Sequence, residues 1–489
     1  MARVLVTHGY FYRLDRKQWK DARPYPPLGT LLAAAVLREG IAGTDRSVAA
    51  HEVRVFDTGL RHSPEELQAE LDAFDPHIVA IYDDGFNYLT KMCLTVMREA
   101  SFRMIALAKA HGCKVAVSSS DSTDHAADYL ARGADAVILG EGEVPLRELV
   151  DRWSAGSAWR DVAGMTCEAG EGPPSIAKRA VMRDLDAMPL PAWDLIDIEP
   201  YRAIWLASQG FFSMNVATTR GCPFKCNWCA KPIYGNRYNT RSPEHVVREL
   251  ELLRDRYRPD HLWMCDDIFG LKPGWAQRFR DLVKERGLKL SYKIQSRADL
   301  LLESDTIAAL AESGLHEVWI GAESGSQRIL DAMDKGITVE QIAQARVLLK
   351  KHGVRTGFFL QFGYLGETDE DVHKTIAMLE RLMPDDIGIS VSYPLPGTGF
   401  FEKVKGAMGA KRNWTDSDDL AMMFRQQQRP AYYKRLHRYV HKRFRRRQSL
   451  LAAAAIMRGE TASFRRLLAG AYYWPASLVD ARRLAQLAV

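Results

Sequence analysis

Hydrophobic and polar positions alternate along the chain in two separate series. In the first series, short runs rich in β-branched residues predict strands at 3–7, 52–57, 77–83, 114–118 and 135–139, and the amphipathic stretches between them predict helices at 28–39, 64–74, 89–111 and 124–132. Such alternation is typical of α/β domains with a doubly wound parallel sheet. We therefore predict a Rossmann-like domain at residues 1–150, whose ligands would bind beyond the carboxyl ends of its strands.

The second series follows a break in the periodicity. Residues 151–212 are rich in Gly, Pro and acidic side chains and predict a small hairpin and a linker. Strands are then predicted at 213–218, 261–265, 290–295, 316–321, 355–362 and 387–392, with helices at 243–257, 275–286, 304–313, 339–352 and 370–383. These six βα units predict a partial (β/α)6 TIM-like barrel at 213–400, with its active site at the carboxyl ends of the strands. Strand signals then vanish, so 401–489 is predicted to be a helical C-terminal domain.

Composition narrows the class of protein. The chain has 489 residues, of which 47% are hydrophobic, and this is enough for two or three soluble domains. A net charge of +6 is too weak to indicate nucleic acid. No apolar run reaches the ~20 residues that span a bilayer, and the first strand is too short for a secretory signal. The seven cysteines form no disulfide framework, which favours a reducing cytoplasm.

Three of those cysteines carry the strongest chemical signal. Cys222, Cys226 and Cys229 form a CxxxCxxC motif on a loop containing Gly and Pro, directly after the first strand of the second series. Three thiolates without a nearby fourth would leave one iron of a 4Fe-4S cluster open, whereas structural zinc requires four closed ligands. The alternatives are a zinc site completed by His245 or Cys265, and buried inert cysteines.

The motif, with Trp228 before its last cysteine, resembles the signature of the radical S-adenosylmethionine (SAM) superfamily, and the resemblance covers about residues 212–398. It implies that the three cysteines hold a 4Fe-4S cluster whose open iron chelates SAM. It also implies an electron donor such as flavodoxin or ferredoxin, whose electron cleaves SAM to a 5′-deoxyadenosyl radical.

The same resemblance implies further SAM-binding positions. GAESGS (321–326) resembles the family's fourth-strand segment, which assigns Glu323 and Ser324 to the methionine moiety or ribose, and FLQFGYLG (359–366), with Gln361, resembles the segment that contacts adenine. Arg297 would pair with the SAM carboxylate through its planar fork. The remaining candidates are Trp228, Asp266 and Asp267. Simple turns and helix caps are the alternative for these positions.

A Rossmann-like domain before a radical barrel resembles the cobalamin-binding branch of the superfamily, as do the segments 25–40 and ILGEGE (138–143). The resemblance implies a bound cobalamin, with Tyr82, Asp83, Gly85 and Glu141 as candidate contacts. No DxHxxG follows the first strand, so a histidine-ligated cobalt is not expected, and His8 is predicted to be an ordinary strand-end histidine. A flavodoxin-like sheet that binds nothing is the alternative.

Together the two cofactors imply methylation of an unactivated carbon of a small-molecule substrate. The runner-up resembles the anaerobic cyclase of magnesium-protoporphyrin monomethyl ester, which would oxidise a tetrapyrrole-like substrate without methyl transfer. A cobalamin or Fe-S sensor without turnover is an alternative of another class. A tRNA methylthiotransferase is disfavoured, since it would carry a second cysteine trio in its N-terminal domain.

The C-terminal region is strongly basic, with KRFRRR at 442–447 followed by an Ala- and Leu-rich stretch. We expect a helix with one solvated and one packed face. Peripheral membrane contact is the next alternative, because it would suit a lipophilic substrate, and no nucleic acid partner is expected. AYYW (471–474) is expected to pack between helices or to cover the barrel mouth.

Overall fold

The computed structural model describes residues 1–43, 50–167, 179–426, 428–460 and 463–488. The strands are β1 Arg3–Thr7, β2 Glu52–Phe56, β3 Ile78–Tyr82, β4 Lys114–Ser118, β5 Ala136–Ile138, β6 Met165–Thr166, β7 Ser213–Val216, β8 Thr219–Arg220, β9 Asn239–Thr240, β10 His261–Met264, β11 Tyr292–Ser296, β12 Leu315–Glu323, β13 Arg355–Phe362 and β14 Asp386–Val391. Part of the predicted hairpin and linker, at 168–178, lies outside the described residues.

The α-helices follow in the same numbering. They are α1 Arg16–Asp21, α2 Leu28–Glu39, α3 Leu67–Phe74, α4 Thr95–Ala110, α5 Ser120–Asp124, α6 Ala126–Ala131, α7 Glu143–Ala155, α8 Glu199–Gln209, α9 Pro243–Arg256, α10 Trp275–Glu285, α11 Ala298–Leu301, α12 Thr306–Glu312, α13 Gln327–Ala332, α14 Val339–Lys351, α15 Asp369–Leu382, α16 Gly399–Val404, α17 Pro430–Met457 and α18 Phe464–Ala485. Every strand and helix predicted in the two series is present, with ends that differ by a few residues.

Two predicted helices differ from the structure in extent. The helix expected at 89–111 begins only at Thr95, because Cys93 has a left-handed backbone with φ of 52° and interrupts the preceding turn. The helix expected at 124–132 corresponds to α6 and begins only at Ala126, because His125, whose φ of −129° is not helical, separates it from α5. Local backbone conformation at single residues therefore set these boundaries.

The chain divides into two compact units. Unit 1 comprises Met1–Phe224, Ala230–Ile294 and Asn413–Asp419, and unit 2 comprises Lys225–Cys229, Gln295–Arg412 and Leu420–Val489. Both divisions near the middle of the chain, after Phe224 and after Ile294, fall inside the segment predicted as a barrel. The predicted boundaries at 150, 212 and 400 stay predictions.

The first sheet lies in unit 1 and has the strand order β2-β1-β3-β4-β5-β6. The first five strands are parallel and β6 runs antiparallel to β5. On one face, alternate side chains such as Val4 and Val6 pack against α2 and α7, where Ala33, Leu37 and Leu146 are fully or almost fully buried. The parallel α/β character predicted for this region is confirmed, and the antiparallel edge strand is an addition to it.

The second series is also parallel within each unit. In unit 1, β7 pairs with β10 and β10 with β11, and in unit 2, β12 pairs with β13 and β13 with β14. This parallel pairing confirms the α/β architecture. The described strands close no barrel, and the predicted partial barrel stays a prediction.

The C-terminal region of unit 2 is a pair of long helices, α17 and α18. Leu436, Val440 and Phe444 of α17 are buried, and its basic side chains pair with α15 and β14, with Arg443 2.7 Å from Glu380 and Arg445 2.9 Å from Asp386. The packing predicted for AYYW is only partial: Tyr472 and Trp474 are 61% and 45% exposed, and their rings lie 5.9 Å and 5.2 Å from the cations of Lys442 and Arg446 in α17. No described helix is long and apolar enough to cross a bilayer.

Candidate functional site

Asp266 fixes the backbone that leads into the cysteine loop. Its Oδ1 accepts hydrogen bonds from the backbone N–H groups of Thr218 and Thr219, both at 2.7 Å, and its Oδ2 accepts one from the Thr218 hydroxyl at 2.5 Å. Burial raises the pKa of Asp266 to about 6. The neighbouring Asp267 forms an ion pair with Lys91. In unit 1, then, both carboxylates predicted as SAM contacts have protein partners.

The three cysteines of the motif differ from the other four in exposure. Cys222, Cys226 and Cys229 are half-buried, whereas the remaining cysteines are fully buried: Cys93, Cys113, Cys167 and Cys265. Buried thiols in apolar surroundings are inert, and accessible ones are available as ligands. Among the described side chains, no three His, Cys, Asp or Glu residues converge on one metal position. Such convergence commonly forms with the metal itself.

Cations lie close to Cys226 in unit 2. Nη1 of Arg297 is 3.9 Å from its Sγ. The same guanidinium is held by Asp299, at 3.0 Å, and by the backbone carbonyl of Lys335, at 2.8 Å. The fork of Arg297 is thus occupied by protein groups, and its predicted pairing with the SAM carboxylate stays a prediction.

Lys335 completes this group through a buried ion pair. Its Nζ lies 2.8 Å from Oε1 of Glu323, and both side chains are almost fully buried. Burial lowers the pKa of Lys335, but the negative charges of Glu323 and Cys226 outweigh it, so the pKa lies above its usual value. Glu323 itself has a positive φ of 56°. The ammonium also lies 5.9 Å from the ring centroid of Trp228. Cys226, Trp228, Arg297, Glu323 and Lys335 thus form one charged cluster, which we call the Cys226 cluster.

Asn227 ties the middle of the cysteine motif to unit 2. Its backbone N–H donates to the carbonyl of Met333 at 3.0 Å, and its carbonyl accepts from the N–H of Phe400 at 2.7 Å. Its side-chain amide donates to the carbonyl of Ala332 at 2.8 Å and accepts from the Tyr364 hydroxyl at 2.7 Å. These four bonds fix the loop between Cys226 and Cys229.

The other SAM candidates of unit 2 have separate hydrogen-bond partners. The Ser324 hydroxyl lies 3.1 Å from that of Thr375, and Nε2 of Gln361 donates to Ser392 at 2.8 Å. By contrast, the buried Nε1 of Trp228 has no hydrogen-bond partner among the described residues. Among the candidate SAM contacts, this indole N–H is the one whose lack of an acceptor best fits a ligand that would bind there.

In unit 1, Arg220 is the centre of a buried charge cluster. It forms ion pairs with Glu141 and, at 2.7 Å, with Glu143. Its guanidinium lies 5.2 Å from the ring centroid of Tyr234 and 5.8 Å from that of Phe86. Burial raises the pKa of Glu141. The arginine that precedes the cysteine motif is thus bound to the ILGEGE segment of the first sheet.

The remaining cobalamin candidates follow β3. Oδ1 of Asp83 accepts from the N–H of Gly9 at 2.6 Å, and burial raises its pKa to about 6. Tyr82 is buried with a pKa well above its usual value, chiefly through burial. Gly85 lies beside Tyr234, because a Cβ on it would be 3.5 Å from the Tyr234 hydroxyl oxygen. The structure brings Tyr82, Gly85 and Glu141 to the surroundings of Arg220, and ties Asp83 to the end of β1.

Two cavities lie in unit 1. The larger, of about 390 Å³, is lined by apolar side chains such as Leu28, Leu32 and Met188, and by Arg220 and His245. The smaller, of about 280 Å³, lies at the carboxyl ends of β1, β3 and β4, where Tyr10, Asp83 and Asp121 line it. The second cavity is at the sheet edge where α/β proteins bind ligands.

Three residues considered as alternative ligands have protein partners. Nε2 of His8 lies 2.9 Å from Asp57, and its Nδ1 lies 3.1 Å from Thr58, which agrees with its predicted structural role. Nδ1 of His245 accepts from Arg241 at 2.8 Å, and burial lowers its pKa to about 4. The Cys265 thiol donates to the carbonyl of Val216 at 3.3 Å.

The chain thus has the features of an α/β enzyme with parallel sheets, in which a loop with three cysteines follows a strand. A profile of the Radical SAM superfamily matches residues 216–379. An uncharacterised methyltransferase of Pyrococcus horikoshii is 30% identical over 385 residues, which cover 77% of this chain and 78% of that protein. The chain belongs to the radical SAM superfamily, and the predicted resemblance is confirmed.

Other relatives carry specific names. The hopanoid C-3 methylase of Methylococcus capsulatus is 25% identical over 76% of this chain and 67% of that protein. The anaerobic magnesium-protoporphyrin IX monomethyl ester cyclase of Rubrivivax gelatinosus is 28% identical over 55% of this chain and 49% of its own length.

Solved structures share the fold. The cobalamin-dependent SAM radical enzyme OxsB, solved with aqua-cobalamin, superposes with a TM-score of 0.72 at 15% identity, over 99% of this chain and 80% of that one. The radical SAM methyltransferase TsrM of Kitasatospora setae, solved with cobalamin and a [4Fe-4S] cluster, gives 0.66 at 18% identity, over 83% of this chain and 75% of that one.

Sequence reasoning missed three residues of the site: Arg220, Asn227 and Lys335. Arg220 and Asn227 stand inside or next to the cysteine motif, so their position in TTRGCPFKCNWC was an available signal. Lys335 stands in an ordinary helix-end sequence twelve residues after Glu323, and nothing in the pattern marks it.

Proposed function

We propose that this protein is a cobalamin-dependent radical SAM enzyme that methylates an unactivated carbon of a small molecule. The observation that carries the proposal is the 30% identity to a methyltransferase over 77% of the chain, which extends well beyond the matched superfamily segment. A reducing cytoplasm would suit its half-buried motif thiols.

Cys222, Cys226 and Cys229 would hold the 4Fe-4S cluster. Their partial exposure fits this role, since the other four cysteines are buried. Arg297 and Lys335 also fit it, because nearby positive charge stabilises an anionic cluster and tunes its reduction potential. When bound, the cluster supplies the electron that cleaves SAM.

SAM would bind beside the Cys226 cluster. The Nε1 group of Trp228 is available as a donor. Glu323 is the last residue of β12 and Ser324 follows it, at the position that the resemblance assigns to the methionine moiety or ribose. Gln361 would contact adenine. Arg297 would bind the SAM carboxylate after its guanidinium gives up a hydrogen bond to a backbone carbonyl, such as that of Lys335. Asp266 would act by fixing the start of the loop, and Asp267 would be the outermost contact.

Cobalamin would bind at the carboxyl edge of the first sheet and supply the methyl group. The small cavity lined by Tyr10, Asp83 and Asp121 opens at the ends of three parallel strands, and this position is where we place the nucleotide tail. Tyr82, Gly85 and Glu141 are the nearest candidates for the corrin. His8 is engaged by Asp57, which supports cobalt without a histidine ligand.

The chain's own residues would orient the reactants. Arg220 fixes the ILGEGE segment relative to the strand before Cys222 through its two carboxylate partners. The buried Glu323–Lys335 pair holds the Lys335 ammonium in a fixed position near Cys226. An electron donor such as flavodoxin or ferredoxin would supply the reducing equivalent.

A second candidate is oxidation or cyclisation of a tetrapyrrole-like substrate without methyl transfer. The similarity to the anaerobic cyclase of Rubrivivax gelatinosus favours it, over about half of each chain. The two candidates differ in the fate of the methyl group of SAM.

The test begins with anaerobic purification in the presence of cobalamin. We expect about four irons and one cobalt per chain in the wild type, with iron lost and cobalt retained in Cys226→Ala. Cys265→Ala is the matched control, because this thiol is buried outside the motif, and it should retain both metals.

Turnover then separates the candidates. With methyl-labelled SAM and a panel of methyl acceptors and tetrapyrroles, label in the product together with 5′-deoxyadenosine supports methylation. An oxidised, unlabelled product supports the cyclase reading. A protein that binds iron but never cobalt contradicts the cobalamin-dependent mechanism.

A further inference from the structure

Helix α18 has an exposed apolar stripe. Phe464, Leu468, Tyr472, Leu478 and Val479 are exposed by 65%, 60%, 61%, 51% and 46%. Phe464, Leu468 and Tyr472 are spaced four residues apart, and Leu478 and Val479 continue the same side two turns later. At 3.6 residues per turn these side chains share one face of the helix.

The opposite face of α18 is the one that packs against α17. Gly470 approaches Ser449 closely, because a Cβ on it would be 2.8 Å from the serine hydroxyl. Further along, the buried Asp480 pairs with Arg435 at 2.7 Å and with Lys442 at 2.8 Å. A helix on a protein surface normally buries its apolar face and exposes its polar one. In α18 this arrangement is reversed, so the stripe is available to a partner.

The charge around the stripe indicates the chemistry of that partner. Residues 430–485 contain thirteen Lys and Arg against two acidic residues, while the whole chain has a net charge of only +6. The remainder of the chain is therefore net acidic, and the basic excess is confined to α17 and α18. Arg465 and Arg466 begin the exposed helix and Arg482 and Arg483 end it. A second copy would bring two equally basic surfaces together, whereas an anionic surface complements them.

We propose that α18 lies in the plane of an anionic lipid bilayer surface, with its apolar stripe in the acyl boundary and its arginines among the phosphate groups. Interfacial helices combine an apolar face with a basic one. Tyr472 and Trp474 fit the position, since aromatic side chains with a polar atom favour the level of the headgroups. The proposal goes beyond the reaction and does not depend on the cofactors.

The test is co-sedimentation of the full chain with vesicles of phosphatidylcholine, with and without phosphatidylglycerol. We expect sedimentation with the phosphatidylglycerol vesicles and a decline as salt increases. Leu468→Glu should weaken the partitioning roughly tenfold or more, because it places a charge where the leucine would contact the acyl chains of the bilayer. Val347→Glu is the matched control, since Val347 is 66% exposed on α14.

Circular dichroism shows whether Leu468→Glu folds, and a second variant tests the same surface if it does not. Arg465→Gln with Arg466→Gln leaves the stripe intact and should weaken the preference for phosphatidylglycerol, because Arg482 and Arg483 remain at the other end of α18. The proposal is overturned if the wild type does not sediment with either vesicle, or if Leu468→Glu and the arginine variant bind as well as the wild type. It is also overturned if light scattering shows a dimer that Leu468→Glu dissociates.

Discussion

The buried pair of Lys335 and Glu323 is the feature of unit 2 with the largest energetic consequence. Two charges removed from water are stable only while each has the other, and loss of one leaves an unpaired buried charge. Here the pair lies beside Cys226 and is bordered by Trp228. Its stability can therefore be measured separately from catalysis, on the chain without cofactors.

Lys335→Met should lower the free energy of unfolding by about 3–5 kcal/mol, because Glu323 remains buried without its cation. The double variant Glu323→Gln with Lys335→Met should recover a large part of that loss. Urea unfolding under anaerobic conditions measures both. Lys350→Met, on the exposed side of α14, is the control. Equal stability of the single and double variants would contradict the pairing.

Glu367 predicts a pH dependence. Its Oε2 accepts from the N–H of Gly363 at 2.6 Å, its Oε1 is buried without a partner among the described residues, and burial raises its pKa to about 8. The folded chain therefore keeps a proton that the unfolded chain, with a pKa near 4.5, releases. Stability contributed by this proton is complete below about pH 4.5 and is lost as the pH rises through about 8.

Glu367→Gln removes the titration while keeping an acceptor for Gly363. We expect the urea midpoint of the wild type to fall between about pH 5 and pH 8, and the midpoint of the variant to fall less. Glu370→Gln, at an exposed position of α15, should retain the wild-type slope. The assignment is wrong if both variants follow the wild-type curve.

At the scale of elements, the cysteine loop is anchored at its start and in its middle. Asp266 fixes its start in unit 1, and Asn227 fixes its middle in unit 2. The side chain of Asn227 joins Ala332, the last residue of α13, to Tyr364, which follows β13. The loop conformation thus depends on an amide that donates and accepts at once, which an aspartate or alanine does not reproduce.

Asn227→Ala should leave the fold intact and loosen the loop. After reconstitution with iron and sulfide, we expect a normal circular dichroism spectrum but faster loss of iron to a chelator than in the wild type. Asn236→Ala is the control, because that exposed side chain lies outside the cysteine motif and accepts a hydrogen bond from Lys231. Identical rates of iron loss in the two variants would exclude the anchoring role.

At the scale of the molecule, the first sheet and the strand before the cysteines form one compact unit. Arg220 is one of the side chains that join the two, because its partners Glu141 and Glu143 follow β5, more than 70 residues earlier in the chain. A change at Arg220 should therefore affect both proposed cofactor sites together.

Arg220→Met leaves two buried carboxylates unpaired, and we expect a loss of about 3–5 kcal/mol with lower content of both cobalt and iron. Arg220→Lys should be intermediate, since it keeps the charge but not the planar fork. Metal analysis of the purified variants measures the effect. Loss of iron alone, with cobalt at the wild-type level, would contradict the coupling.

The sequence predicted the regular elements well and their contacts poorly. Buried parallel strands such as Arg3–Thr7 and Arg355–Phe362 read as continuous apolar runs, so their ends were predicted correctly. The pairing of Lys335 with Glu323 depends on how β12 and α13 meet, which periodicity does not encode. Periodicity likewise does not reveal whether another element covers the apolar side chains of α18.

Glu323 carries one more implication. A left-handed backbone costs a glutamate roughly 1 kcal/mol or more, and a glycine there would be free of that strain. Glycine would relieve that strain, but it would also leave the ammonium of Lys335 buried without its carboxylate, which costs about 3–5 kcal/mol. Deep mutational scanning under selection for activity should therefore tolerate neither glycine nor alanine at position 323, and a screen for abundance alone should accept glycine more readily than alanine, because only glycine escapes the strain.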